Sequence, residues 1–384
     1  MKCLGITALI NFNDWDNPDY TETGGVNSVI KNILPYLDAE KIILYGLTYK
    51  KEKLFKEEKL NDRVSVFAVI YKSPFNRLPN RILGFILGWR LKKYFRIHQV
   101  NFVYSHSEEL AIWLPFTKVP FIHHLHTFVN ALEVSGGRLA KIKFLRAFWE
   151  KIRTRSIINS KKSIAINNDI SKMLESLIGK DRVIRFSNYV DQNKFQYHNP
   201  STMRLKLCLE NRRVALFIGR ISKVKGMELF VDIVSQLIEL DKESNWCGIV
   251  VGNGEYESAL KEYIGKCQLK DDFILTGSTN VSDTLCEYYS LADVFLITSV
   301  SESVPLTLLE SLVCGTPVVS TNVGIASDVL GNQNGYVVES GEADEMARKV
   351  LASLSFKAKN SILINPHKYS VNYASSLLNE EFWK

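Results

Sequence analysis

Two glutamates eight residues apart, Glu302 and Glu310, stand on either side of Pro305 in the stretch 299–320, SVSESVPLTLLESLVCGTPVVS. Apolar runs over 294–298 and 318–320 enclose them, so the segment predicts a strand, a polar loop, a short helix, a stop at Gly315 and a second strand. Pro305 suits the first helical position, where a missing N–H is no loss, and the amides of residues 304–307 (Val304, Leu306 and Thr307 around the proline) point toward any phosphate. A helix over 305–313 is only about 13 Å long, which puts Glu310 within reach of a ribose if a nucleotide lies along it. A carboxylate out of water needs donors for its oxygens, and the paired hydroxyls of a sugar supply them. Glu302, in the loop ahead, then stands beside whatever the phosphate carries. Two glutamates at this spacing are weak evidence by themselves; the frame of strand, proline and glycine makes the pattern specific.

A second group lies in 213–226, RVALFIGRISKVKG, where a strand delivers Gly219 and Arg220 and Lys225 bracket a turn before the next helix. Arginine grips a diphosphate in a forked geometry and lysine acts as a point charge. Two solvated surface cations are the alternative, and the glutamate loop weakens it.

In the first half, the long loop 11–25 ends in Gly24 and Gly25 at a helix start. Glycines there permit close approach of the backbone to an anion or to sugar hydroxyls; a turn needing glycine for shape alone explains them equally well. Asp14-Trp15-Asp16 has the D-x-D form of metal-dependent sugar transferases, but the end of a first strand is the wrong place for it, and no metal is expected. The run FIHHLHT at 121–127 carries three histidines off the end of a strand. Alternation puts His124 and His126 on one side and His123 on the other. With no cysteine or carboxylate at ligand spacing, a histidine hydrogen-bonding a hydroxyl is favoured over a metal pair, and His126, furthest into the loop, is the candidate.

The elements that must hold these residues alternate short apolar runs with helical patterns, the signature of parallel sheets flanked by helices. Strands are expected over 3–10, 41–47, 64–70, 102–105, 121–124, 163–166 and 183–186, and the rhythm begins afresh over 214–218, 248–251, 273–276, 294–298 and 318–320. The fold class is α/β, two doubly wound Rossmann-like domains facing across a cleft. The expected division is a first domain over 1–190, a connection over 191–212, a second domain over 213–368 and a tail helix over 369–384. In such sheets ligands bind beyond the carboxyl ends of the strands, which is where the candidate residues fall.

At 384 residues, 46% hydrophobic and 23% charged, the chain exceeds one ordinary core and has the composition of a globular protein. Its six cysteines follow no framework spacing and read as reduced and structural, in a cytoplasmic setting. The opening MKCLGITALINF reads as a first strand rather than a signal peptide, and no apolar run approaches the length of a spanning helix. Residues 1–190 hold 30 Lys+Arg against 17 Asp+Glu, while 191–384 hold 18 against 24. The basic half predicts an anionic surface or phosphorylated acceptor as its partner. Within it, 74–96 mixes aromatic and aliphatic residues with Arg81, Arg90, Lys92, Lys93 and Arg96 and no acid, with Ile82, Phe85, Ile86 and Trp89 at helical spacing. A helix resting on anionic lipid is the reading and a core helix with a solvated basic edge the alternative; residues 138–162 repeat the theme with Phe148 and Trp149. Nucleic-acid binding is excluded, since the basic residues lie outside any recognition module.

The consecutive stretches GRISKVKG, VVGNGEYESAL, ILTGSTN, YYSLADVFLITSVSESVPLTLLESLVCGTPVVSTNVG and NGYVV resemble the motifs of the retaining glycosyltransferases of family 4, which have the GT-B fold. Gly24-Gly25-Val26, His106, the HLHT run and FSNYVDQNKF at 186–195 fall where that family has its glycine pair, strand-end histidines and domain-crossing segment. The resemblance implies a UDP-sugar or GDP-sugar donor, with Arg220 and Lys225 on the diphosphate and Glu310 on the ribose. It places Glu302 and His126 by the donor sugar, Gly219 and the backbone of Val304, Pro305, Leu306 and Thr307 at the phosphate end, and Ser278 by the base. Gly24 and Gly25 lie near phosphates or acceptor. It further implies metal-free transfer of a hexosyl group to a glycan acceptor, and the basic, aromatic first half makes a lipid-linked acceptor in cell-surface glycan synthesis, at the cytoplasmic face of a membrane, the expected setting. Ser303 stands where the family has glycine, and Ile325 and Asp328 replace a glycine and a glutamate. A catalytically silent nucleotide-sugar binding protein and a nucleotide-sugar epimerase on the same fold are the alternatives.

Overall fold

The computed structural model describes the chain except for residues 1, 15–24, 74, 76–78, 127–142, 280, 303, 340, 358–361 and 366. Two compact units divide it, Met1–Ser187 with Ser375–Lys384, and Asn188–Ala374.

Among the described residues the first unit carries an eight-stranded sheet: β1 (Cys3–Thr7), β2 (Lys41–Thr48), β3 (Glu57–Lys59), β4 (Val64–Tyr71), β5 (Phe102–Ser105), β6 (Phe121–Leu125), β7 (Lys162–Ala165) and β8 (Val183–Arg185), in the order β3-β4-β2-β1-β5-β6-β7-β8. Apolar runs such as CLGIT in β1 are buried along their whole length, as strands covered on both faces must be. The exception is β3, a charged EEK edge that pairs antiparallel with β4 and carries an ion pair of 2.8 Å between Lys41 and Glu57. Its short, charged run gives no apolar signal and ends the sheet with side chains that discourage further pairing.

The second unit is a parallel sheet of β9 (Arg212–Ile218), β10 (Asn245–Val251), β11 (Phe273–Gly277), β12 (Val294–Ile297), β13 (Val318–Thr321) and β14 (Gly335–Val338), ordered β11-β10-β9-β12-β13-β14. Successive residues serve opposite faces. Val214 and Leu216 of β9 join one core with Ile249, Phe295 and Leu312, while Ala215 and Phe217 join the other with Val250, Leu296 and Phe230. Both faces are therefore sealed by helices, and each buried aliphatic side chain contributes roughly 1.5–3 kcal/mol. Strand order reverses between β9 and β12, the point at which open α/β sheets leave a crevice at their carboxyl edge.

Residues 191–212, expected as a connection, pack into this second unit. Phe195, Met203 and Leu209 enter its core, and Arg204 donates to Leu291 O at 2.6 Å and to Asp293 at 3.0 Å. The polar letters around them masked three apolar anchors. The chain enters and leaves the unit side by side, Val190 N donating to Tyr369 O at 3.0 Å. The closing helix, Val371–Trp383, then joins the first unit: Trp383 Nε1 donates to Asp38 O at 2.6 Å, and Phe382 packs on Phe102 and Tyr104.

The segment expected as one helix over 74–96 is broken. Asn80–Leu87 and Leu91–Ile97 are separated by a tighter turn at Gly88–Arg90, where a Cβ on Gly88 would stand 2.5 Å from Trp113. Its apolar stripe divides accordingly. Phe85 turns inward to Trp149, with ring centroids 5.1 Å apart, while Ile86 and Trp89 remain exposed. The six cysteines are all free, four of them buried and Cys208 exposed.

Candidate active site

The loops after β9 and β12 are fastened to each other at the strand-order reversal. Thr298 Oγ1 donates to Lys225 O at 2.9 Å and Val300 N to Val224 O at 2.8 Å. Gly226 permits the approach: its φ is +64°, and a Cβ there would lie 2.0 Å from Thr298 O. At this junction the Lys225 ammonium meets Oε1 of Glu302 at 2.8 Å, and the same oxygen accepts from Ser299 Oγ at 2.5 Å. Ser299 is buried and its carbonyl accepts from Thr321 Oγ1 at 2.7 Å, so the residue that holds the carboxylate is itself held. Arg220 is exposed at the end of the same turn as Lys225, with no partner among the described residues. Gly219 before it has φ +154° and comes so close to Gly252 that a Cβ on Gly252 would meet Gly219 O at 1.9 Å.

The helix Leu306–Val313 begins one residue later than the sequence suggests. Pro305 is its N-cap, in extended geometry. Leu308 N closes the first turn on Pro305 O, and no side chain caps the amides of Leu306 and Thr307, which remain for an anion. Val304, before the proline, is partly buried and packs on the core. One and a half turns along, Tyr289 Oη donates to Glu310 Oε2 at 2.8 Å. Glu310 keeps part of its surface open, yet enough protein surrounds the carboxyl that burial pushes its pKa up to about 7, against the opposing pull of the Tyr289 hydrogen bond. Tyr289 was not foreseen. The available signal was that a buried carboxylate needs a donor and the preceding helix, Ser282–Leu291, ends in YYSL with two tyrosine hydroxyls. Ser278 is exposed just after β11, two strands away from β9.

In the first unit β5 and β6 are neighbours, so their carboxyl ends bring three histidines together. Nδ1 of His106 and Nε2 of His126 lie 2.9 Å apart, and His124 stacks on His126 with ring centroids 4.2 Å apart. Tyr104 Oη and His124 Nδ1 are 2.7 Å apart. Burial holds His106 and His124 well below the usual histidine range and takes His126 to about 4, so all three are neutral imidazoles near pH 7. Each brings one ring nitrogen within 4.8 Å of the others, the one grouping among the described residues whose spacing could hold a metal. Gly25 opens the helix Gly25–Ile33; Gly24 and the Asp14-Trp15-Asp16 motif beyond its first residue lie outside the described residues.

A family model described as glycosyl transferases group 1 matches residues 203–366, and one described as Glycosyltransferase Family 4 matches 23–194. The chain belongs to the group 1 glycosyltransferases and has their GT-B fold. Among similar proteins, a 2-deoxystreptamine N-acetyl-D-glucosaminyltransferase from Niallia circulans is 29% identical over 222 residues, covering 55% of each chain. An alpha-monoglucosyldiacylglycerol synthase from Streptococcus pneumoniae is 28% identical over 272 residues, covering 67% of this chain and 59% of its own. This chain thus spans between half and two thirds of the length of these relatives. HepE from Anabaena, solved with UDP and glucose, superposes with a TM-score of 0.71 at 18% identity over 99% of this chain and 98% of its own.

Proposed function

We propose that this chain transfers a hexose from a UDP-sugar or GDP-sugar to a lipid-linked or polysaccharide acceptor, with retention at the anomeric carbon and without a metal. The observation that carries the reading is the arrangement at the strand-order reversal of the second unit. A carboxylate, a cation pair with an uncapped helix start, and a second carboxyl group lie along one short path, in the order in which a nucleotide sugar presents sugar, diphosphate and ribose. The solved HepE complex with UDP supports it.

In the transfer, the bond from the anomeric carbon to the diphosphate oxygen breaks and the diphosphate leaves with the bonding pair. The acceptor oxygen forms the new bond and its proton is released. The departing charge grows on the diphosphate, where the amides of Leu306 and Thr307 are already in place and the side chains of Arg220 and Lys225 add positive charge. Donor binding gives Lys225 a phosphate in place of Glu302, which is then free to accept from sugar hydroxyls. Glu310 accepts from the ribose.

The lipid-linked acceptor and peripheral attachment to the cytoplasmic membrane face rest on the surface of the first unit. Phe144 and Phe148 on the helix Lys143–Asn159, and Ile86 and Trp89, are exposed beside Arg90, Lys92, Lys93 and Lys151. No helix among the described residues is long and apolar enough to cross a membrane. A screen of UDP- and GDP-sugars against glycolipid acceptors, with the product anomer read by proton NMR in the presence of EDTA, tests the reading; an inverted product or transfer lost to EDTA counts against it.

A further inference from the structure

The three histidines of the first unit have the proximity of a metal site, but their rings are arranged for something else. His106 and His126 have centroids 5.2 Å apart and planes only 18° apart, with 2.9 Å between Nδ1 and Nε2. That is the geometry of two imidazoles joined edge to edge by one nearly linear N–H···N bond. The lone pair a cation would need is already engaged. His124 lies against His126 as a stacked plate, 27° from parallel, rather than directing a nitrogen toward a shared centre.

An N–H···N bond between neutral rings contains one proton, and its position fixes both tautomers. If His126 Nε2 carried it, His106 would hold its own proton at Nε2. That nitrogen is buried and has no partner among the described residues. A buried N–H without an acceptor is rarer and less tolerable than a bare lone pair. The proton therefore sits on His106 Nδ1 and points at His126 Nε2. His126, the one ring of the three with open surface, is left with its N–H at Nδ1.

We propose that His106 is a positioning residue whose Nδ1–H, donated to Nε2 of His126, locks His126 in the tautomer that offers Nδ1–H to an oxygen of the substrate. The role of that donor in transfer rests on the function proposed above; the lock itself does not. Tyr104, fully buried, steadies His124, and His124 backs the plane of His126, so the ring is held in orientation as well as in tautomer.

The test has two readouts on the full chain. In long-range proton–nitrogen correlation spectra of nitrogen-15-labelled protein near neutral pH, the signals that vanish in His126→Gln show a protonated Nδ1 and a bare Nε2. The reverse tautomer, or an equal mixture, overturns the lock. In transfer assays, His106→Leu lowers kcat by about 10–100-fold with the donor KM unchanged. His106→Asn, whose amide N–H occupies the place of Nδ1–H, restores most of the rate. Equal losses in the two variants, or none in either, overturn the positioning role. A chain with the expected tautomer that transfers no sugar from any UDP- or GDP-sugar overturns the glycosyl-transfer reading and leaves the lock standing.

Discussion

Lys225 Nζ and Glu302 Oε1, from loops that follow different strands, meet at 2.8 Å at the strand-order reversal of the second unit, with Ser299 holding the same oxygen. The site is thus self-paired: the cation proposed for a phosphate is held by the carboxylate proposed for a sugar. Glu302→Gln frees Lys225 and removes a negative charge beside the diphosphate. UDP or GDP binds this variant several-fold tighter by calorimetry, while kcat falls by about 10²-fold or more. A drop in nucleotide affinity equal to the drop in rate speaks against this pairing.

Glu310 gives the pH dependence a direction. Its folded pKa, about 7, stands above the ordinary carboxylate value, so folding favours the protonated form. Its contribution to stability is complete below the unfolded value and declines as pH rises to about 7, by up to roughly 3 kcal/mol. Glu310→Gln raises Tm at about pH 8 and leaves it near wild type at about pH 5 in calorimetric scans. Ribose hydroxyls donate to the ionised form, so nucleotide affinity climbs between about pH 6 and pH 8 in the wild type and is flat in Glu310→Gln.

Tyr289→Phe removes the single protein hydrogen bond found on the Glu310 carboxyl among the described residues. Without that donor its pKa moves further up, and nucleotide affinity near neutral pH falls about tenfold, the equivalent of about 1.4 kcal/mol. An unchanged dissociation constant means the hydroxyl only fills space.

Gly226→Ala separates the two loops, because a Cβ would stand 2.0 Å from Thr298 O at a φ of +64°. A loss of roughly 2–4 kcal/mol in stability is expected, seen as a lower denaturation midpoint, with transfer reduced even in the folded fraction.

Most strands were readable because buried parallel strands announce themselves as apolar runs, and the positions of Arg220, Lys225, Glu302 and Glu310 followed from the loops those runs leave behind. What escaped depends on contacts between distant residues. The bond from Tyr289 to Glu310 spans 21 positions, and the His106–His126 pair exists because β5 and β6 are neighbours. Pattern shows three histidines near strand ends; it does not show which nitrogen faces which. The segment 191–212 misled for a different reason. Phe195, Met203 and Leu209 are too widely spaced to form a period, yet they decide where that chain packs.

Phe144→Ser with Phe148→Ser removes two exposed rings from the helix Lys143–Asn159. Sedimentation with anionic vesicles falls at least tenfold, each fully buried ring being worth about 1.5–3 kcal/mol. The residual binding disappears in high salt. Binding that ignores both changes contradicts the membrane surface.

Release of nucleoside diphosphate from a panel of UDP- and GDP-sugars, followed by chromatography with EDTA present, bears most directly on the central claim. The account predicts release from at least one donor, cut by about 10²–10³-fold in Lys225→Ala. No release from any donor, or release unaffected by loss of Lys225, would contradict it.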